Sequence, residues 1–297
     1  MPEIVLASYA KLNLGLLLLR KRLDGYHDIA TVFQQIGLYD KMTFRKTDQD
    51  IQITCSNPDI PVDERNLVWK AYQAARSRFQ LEYGLQVHIE KHIPAGGGLG
   101  GGSSNAATTL HAIRCFSSNA MSDADLQELA AEIGSDVSFF LIGGTAFGTG
   151  RGEKLRPIQI PVNFWVVLLF PDLHVSTAWA YQHAKIALTN EEKLTKFSAL
   201  FEQFSLHAFK GLLVNELESV VFERHPQLRT YKAQLYEKGA FYAGMSGSGS
   251  TLFGLFQRSQ TAEEAVSFFS SNQDVKALIC RPISDVSPVQ SKHEHRK

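Results

Sequence analysis

What this sequence lacks narrows it first. Only three cysteines occur in 297 residues, Cys55, Cys115 and Cys280, and they are far apart with no C-x-x-C pair. That excludes a disulfide framework and a cysteine zinc site, and suits free thiols in a reducing compartment. No apolar run approaches the ~18 residues of a membrane-spanning helix. The longest runs, 14–19 and 164–170, are of strand length. No basic stretch precedes the first apolar residues and Lys11 interrupts them, which is not the pattern of a secretory leader. An excess of either charge is missing too, because 30 Lys and Arg balance 30 Asp and Glu. Such a chain has no broad positive field for a nucleic acid polymer or an anionic membrane. A cytoplasmic protein is expected, and a monomer and a homodimer remain equally open.

The length of 297 residues suits two domains at about 100–200 residues each. The pattern of elements restarts near Pro157, which places the expected domains at 1–156 and 157–290. The charged tail 291–297 has no apolar residue and is expected to be disordered. Strands are expected through most of 1–60, around a turn at 20–25, and at 85–90, where Leu85, Val87 and Ile89 alternate with polar residues. Helices are expected at 67–79, 104–116, 123–133 and 137–141. Ser122 and Asp125 form a capping box for the third, and Gly134 stops it. The continuous apolar run 164–170 reads as a buried strand. Helices at 177–188, 191–204, 206–223 and 226–238 follow, then strands 240–245 and 251–257, helix 261–271 and a strand at 275–281. Mixed strands and helices without strict alternation predict an α+β fold.

One feature is abundant. Gly96, Gly97, Gly98, Gly100, Gly101 and Gly102 put six glycines into seven positions, with only Leu99 between them. Pro94 precedes them, Ser103 and Ser104 follow, and the run joins an expected strand to an expected helix. Glycine at this density costs backbone entropy, and the chain tolerates it where backbone N–H groups converge on an anion beside a helix N-terminus. Phosphate is the guest this implies. The embedded G-x-G-x-x-G leaves a dinucleotide-dependent oxidoreductase open, but no acid ends a following strand as that fold requires. A Walker loop is excluded because Ser103 stands where its lysine belongs. Ser103 and Ser104 are suited to phosphate oxygens or to a Mg2+ ion held with them.

The segment from Pro94 to Ala107 resembles the central motif of the GHMP kinases. Ala10-Lys11-Leu12-Asn13-Leu14 resembles their first motif, and the segment from Ala243 to Ser250 resembles their third. All three occur in order. Arg22-Leu23-Asp24-Gly25-Tyr26-His27 and Ile133-Gly134-Ser135-Asp136-Val137 are further similar to one branch of the family. That branch phosphorylates the C2 hydroxyl of 4-diphosphocytidyl-2-C-methyl-D-erythritol in non-mevalonate isoprenoid (terpenoid) biosynthesis.

The resemblance implies a two-domain fold, with a ribosomal-protein-S5-domain-2-like N-terminal domain, a ferredoxin-like C-terminal domain and an active-site cleft between them. It implies ATP and Mg2+, the metal reached through the ATP phosphates, and a small cytidine diphosphate substrate. Lys11 and Asp136 are the implied catalytic pair. Pro94, the glycine run and Ser103-Ser104 are the implied nucleotide loop. Asn13, Ser246 and Gly247 are expected to place the substrate, Tyr26 and Tyr181 to stack on its base, and His27 to bond the base edge. Homoserine and mevalonate kinases of the same family are the alternative reading. Read as residues alone, Asp136 is first a helix cap and Tyr26 first a half-buried residue after a turn; only the resemblance reverses that order.

Overall fold

The computed structural model describes residues 3–117, 121–184, 194, 195, 197, 199 and 213–284. Two long strands organise the first half. β1 spans Glu3–Lys21 and β2 spans His27–Thr47, joined by the expected turn. They pair antiparallel along nearly their whole length. The other edge of β2 is shared, with β4 (Gly84–Glu90) on its second half and β5 (Thr145–Gly150) on its first. β3 (Gln52–Cys55) and β6 (Lys154–Pro157) complete a six-stranded sheet.

Pairing of β1 with β2 shifts register at Tyr9/Ala10, Asn13/Gly15 and Leu18/Arg20. Such bulges bend a strand and re-aim its side chains. Two of them bracket Lys11 and Asn13, which are two residues apart and therefore share a face.

Helices cover one face of this sheet. α1 (Leu67–Phe79) is capped by the Asn66 side chain, which accepts from the Val68 N–H. α2 (Gly101–Phe116) packs beside α1 and over β1. α3 (Asp123–Ile133) has the expected Ser122–Asp125 capping box, and α4 (Val137–Ile142) follows it. Between helices and sheet lies a core that includes Phe44, Val87, Tyr72 and Leu110. α2 starts at Gly101, three residues before the sequence suggests. Glycine is a poor helix former, but a Cβ at Gly101 would lie 3.0 Å from both the Ile93 side chain and the Lys91 ammonium. Close packing, rather than helix propensity, selects glycine there.

The second sheet has the order β10-β7-β9-β8 and is antiparallel throughout. Its strands are β7 (Trp165–Pro171), β8 (Tyr242–Met245), β9 (Leu252–Phe256) and β10 (Val275–Cys280). β7 is apolar along its length because both its faces are buried. Val166 and Leu168 face the first sheet, in a core with Leu12, Val32 and Ile36. Val167 and Leu169 face α5 (Thr177–His183), α6 (Glu218–Arg224), α7 (Pro226–Glu237) and α8 (Ser259–Ser270).

Three expectations change. The 177–188 helix stops at His183. Of the expected 206–223 helix, 206–212 lie outside the described residues, 213–217 are not helical because Asn215 instead bridges to Leu16 of β1, and Glu218–Arg224 is helical. β6, which the sequence did not suggest, pairs with β5. Residues 194, 195, 197 and 199 of the expected 191–204 helix are helical, and the tail 291–297 lies outside the described residues.

One half-buried group is expected to make the fold acid-sensitive. Burial within α2, aided by Arg114, pushes the His111 imidazole down from 6.5 to about 4. The unfolded chain therefore binds a proton between those values that the folded chain does not. Stability drops as pH falls from about 6.5 to about 4. In thermal denaturation across that range, His111→Gln is expected to show a shallower fall in Tm than the wild type. Identical pH profiles would assign the acid sensitivity to other groups.

Candidate active site

A cavity of about 460 Å³ opens where the two sheets meet. β4 ends at Glu90 and leads through Lys91, His92 and Ile93 into the glycine loop, which α2 terminates. Gly96, Gly98 and Gly100 have φ values of +71°, +77° and +69°. Only glycine adopts this region readily, and at Gly98 space forbids anything else. A Cβ there would lie 2.0 Å from the Ser246 carbonyl oxygen.

The loop is pinned on three sides. The Lys11 N–H donates to the Leu99 carbonyl at 3.0 Å and the Thr251 N–H to Gly97 at 3.3 Å. The Ser246 hydroxyl donates to Gly98 O at 2.9 Å. The third motif is the β8–β9 hairpin turn, so two glycine-rich turns abut. Asn215 holds this turn through its amide, which donates to Met245 O at 2.8 Å and Gly247 O at 2.7 Å.

Lys11 and Asp136 meet at one end of the cavity, with Nζ 3.3 Å from Oδ2. Lys11 is only 4% exposed, whereas Asp136 keeps 32% of its side-chain surface. A lysine this deep requires partners, and Asn13 Oδ1 is the second, 2.6 Å from Nζ. Asn13 is fixed in turn by donating to Thr31 Oγ1 at 2.9 Å. Asp136 stands at the N-cap of α4 but makes no capping hydrogen bond. Its carboxylate is committed to Lys11 and open to the cavity.

The remaining expected residues divide. Pro94, Gly96 through Gly102, Leu99, Ser103, Asn13, Tyr181 and Gly247 line the cavity beside Lys11 and Asp136. Ser104 is buried and its Oγ accepts from Ser8 at 2.8 Å. Ser246 is buried as a brace between the Asn13 N–H and Gly98 O. At the β1–β2 turn His27 is buried with its ring 5.4 Å from that of Tyr181, tilted by 37°. Tyr26 is 58% exposed and packs against the Arg151 guanidinium, 5.2 Å from its ring centroid. Burial, and then Lys21, lowers the His27 pKa below the ordinary imidazole value, which favours the neutral ring. Burial, and then the Asp136 charge, raises the Tyr181 phenol above its ordinary value.

Several lining residues escaped the sequence reading. Arg65, Lys91 and Arg151 join Lys11, so the wall carries four cationic side chains against one carboxylate. Three of the four are paired with carboxylates, Lys11 with Asp136, Arg65 with Asp63 and Lys91 with Asp40. Arg151 was the most legible of the missed residues, as a cation between two glycines just after a strand. Thr177 and Ser248 reach the wall from α5 and the β8–β9 turn, with hydroxyls 2.8 Å apart.

Comparison with known proteins narrows the family. Residues 66–144 match the GHMP kinases N terminal domain and 196–274 match GHMP kinases C terminal. The 4-diphosphocytidyl-2-C-methyl-D-erythritol kinase of Chlorobium phaeobacteroides is 40% identical over 274 residues, covering 91% of this chain and 94% of that one. The chain belongs to the 4-diphosphocytidyl-2-C-methyl-D-erythritol kinase family. A crystal structure of 4-(cytidine 5'-diphospho)-2C-methyl-D-erythritol kinase superposes with a TM-score of 0.78 at 28% identity, covering 94% of this chain and 99% of that one. Homoserine kinase from Cytophaga hutchinsonii also gives 0.78, at 18% identity over 96% of each chain. At that identity the likeness is one of fold. It establishes the mixed two-domain GHMP architecture and says nothing of substrate. Among the described residues no helix is long and apolar enough to cross a membrane.

Proposed function

We propose that this enzyme transfers the γ-phosphoryl group of ATP to the C2 hydroxyl of 4-diphosphocytidyl-2-C-methyl-D-erythritol, in the cytoplasm, where ATP is supplied. The observation that carries the mechanism is the Lys11–Asp136 pair, set at 3.3 Å in the same cavity as the glycine loop. The loop amides and the start of α2 hold the ATP phosphates, with Ser103 beside them. The C2 hydroxyl oxygen bonds to the γ-phosphorus as the bond to the β-γ bridging oxygen breaks, and ADP leaves with that oxygen. Asp136 accepts the hydroxyl proton as transfer proceeds. Lys11 orients Asp136 and offsets charge on the reacting oxygens.

The donor set fits Mg2+ bound through the phosphates. No group of three or more His, Cys, Asp or Glu side chains among the described residues could cage a metal, and Mg2+ typically needs only one or two protein oxygens beside phosphate and water. Ser103, on the cavity wall at the start of α2, is the residue that would hold it beside the phosphates. When bound it neutralises the phosphate charge that develops during transfer.

On the substrate side, Tyr181 and His27 offer the base one stacking face and one directional polar group. Asn13 and Gly247 flank the reacting alcohol. Tyr26 lies outside the cavity wall, and its stacking role requires the β1–β2 turn to fold onto a bound base. The domains divide near Pro157, where β6 ends.

The test is a coupled ADP-release assay. ADP should appear with the cytidylyl substrate and Mg2+, and should not appear with homoserine or mevalonate. Turnover of homoserine or mevalonate in its place would move the enzyme to another branch of the family.

A further inference from the structure

Asp40 lies in β2, outside both glycine-rich turns and outside the cavity wall. Among the described residues it is the one fully buried carboxylate. Its Oδ1 accepts from the backbone N–H groups of His92 and Ile93, each at 2.8 Å. Its Oδ2 accepts from Lys91 Nζ at 2.7 Å and from Asn105 Nδ2 at 3.0 Å. Residues 91–93 lead into the glycine loop and Asn105 lies in the helix that ends it, so one carboxylate grips both ends of 94–100. The second amide hydrogen of Asn105 goes to Ser8 Oγ at 2.8 Å, and the Ser8 hydroxyl donates to Ser104 at 2.8 Å. Lys91 Nζ also donates to Ile93 O at 2.5 Å.

We propose that Asp40 is the positioning residue of the phosphate loop, holding its two ends at a fixed separation so that the loop amides are ordered before nucleotide arrives. A loop this rich in glycine has much conformational entropy to lose. If binding had to order it, that cost would come out of nucleotide affinity, and preorganisation avoids it. Four donors on one charged acceptor make a stronger clamp than neutral groups would. The proposal rests on the assignment of the loop to ATP phosphates.

Asp40→Asn keeps the shape and removes the charge. Its amide presents hydrogens to Lys91 and Asn105, both already donors, so that side of the clamp opens. By titration calorimetry the Kd for ADP should rise about tenfold or more, while the Kd for CMP, a probe of the base side, stays within about twofold. Amide exchange should quicken over 94–103 and not in β9. A merely structural role would lower Tm and weaken both ligands together, and that result overturns the proposal. So does an unchanged ADP affinity in the folded variant. If Asp40→Asn does not fold, Ser8→Ala decides the matter. It leaves Asp40 in place and cuts the Asn105–Ser8–Ser104 link, and should weaken ADP alone; equal ADP affinity overturns the clamp. Wild-type protein that binds no ADP overturns the nucleotide reading and the clamp with it. Wild-type protein that binds ADP, with Asp40→Asn binding it equally, overturns the clamp alone.

Discussion

Asp136→Asn is expected to lower kcat by about 10²- to 10⁴-fold, the range that a positioned general base contributes, with KM for ATP little changed. The substitution is nearly isosteric and removes only the ability to take a proton and the negative charge. It should not unravel α4, because the Asp136 side chain makes no capping bond to that helix. It should not strand Lys11 either, because Asn13 Oδ1 remains 2.6 Å from Nζ. The expected signature is therefore a collapse of turnover with a modest change in Tm and an unchanged Kd for ADP. Steady-state kinetics with calorimetry on the same preparation separates these quantities. Near-native kcat in the folded variant would remove Asp136 from the proton-transfer step. A helix cap lost by the same substitution would show the reverse pattern, lower Tm with turnover intact.

How far this site was legible depends on whether its residues answer to local or distant partners. Helix α1 follows its sequence pattern because Asn66 caps it locally, and the apolar run at β7 follows because a strand buried on both faces needs no alternation. The Lys11-x-Asn13 spacing shows that both side chains share a face, and the bulges that aim them at Asp136 are invisible without the partner strand. Asn215 fails as a helical residue because its partner is Leu16, nearly two hundred positions away. Which ring meets Tyr181 was likewise undecidable, since Tyr26 ends the turn and the adjacent His27 begins β2. The structure puts His27 there and leaves Tyr26 with Arg151. The charge balance of 30 against 30 also hides placement, because four cationic side chains line one cavity and three of them are paired with carboxylates. A sum over the chain carries no information about that placement.

Lys11→Met should lower kcat by about 10²- to 10³-fold, the usual loss when one preorganised donor to developing charge is removed. Methionine keeps an unbranched stem of similar length in the space between Phe33 and Gly100, so the fold should survive. Breaking a fully buried ion pair costs about 3–5 kcal/mol, but Asp136 is 32% exposed and water can take over from the ammonium. The stability loss should fall well below that range, and most of it should come from Asn13 Oδ1, which loses its donor. The decisive measurement is the double variant. If Lys11 acts by holding Asp136 in place, the two side chains work as a unit and their losses do not multiply. The Lys11→Met/Asp136→Asn enzyme should then be about as slow as the slower single variant. Losses in kcat/KM that multiply would mean that the two groups act on separate steps. The 3.3 Å ion pair would then be a structural contact that happens to lie beside the reaction.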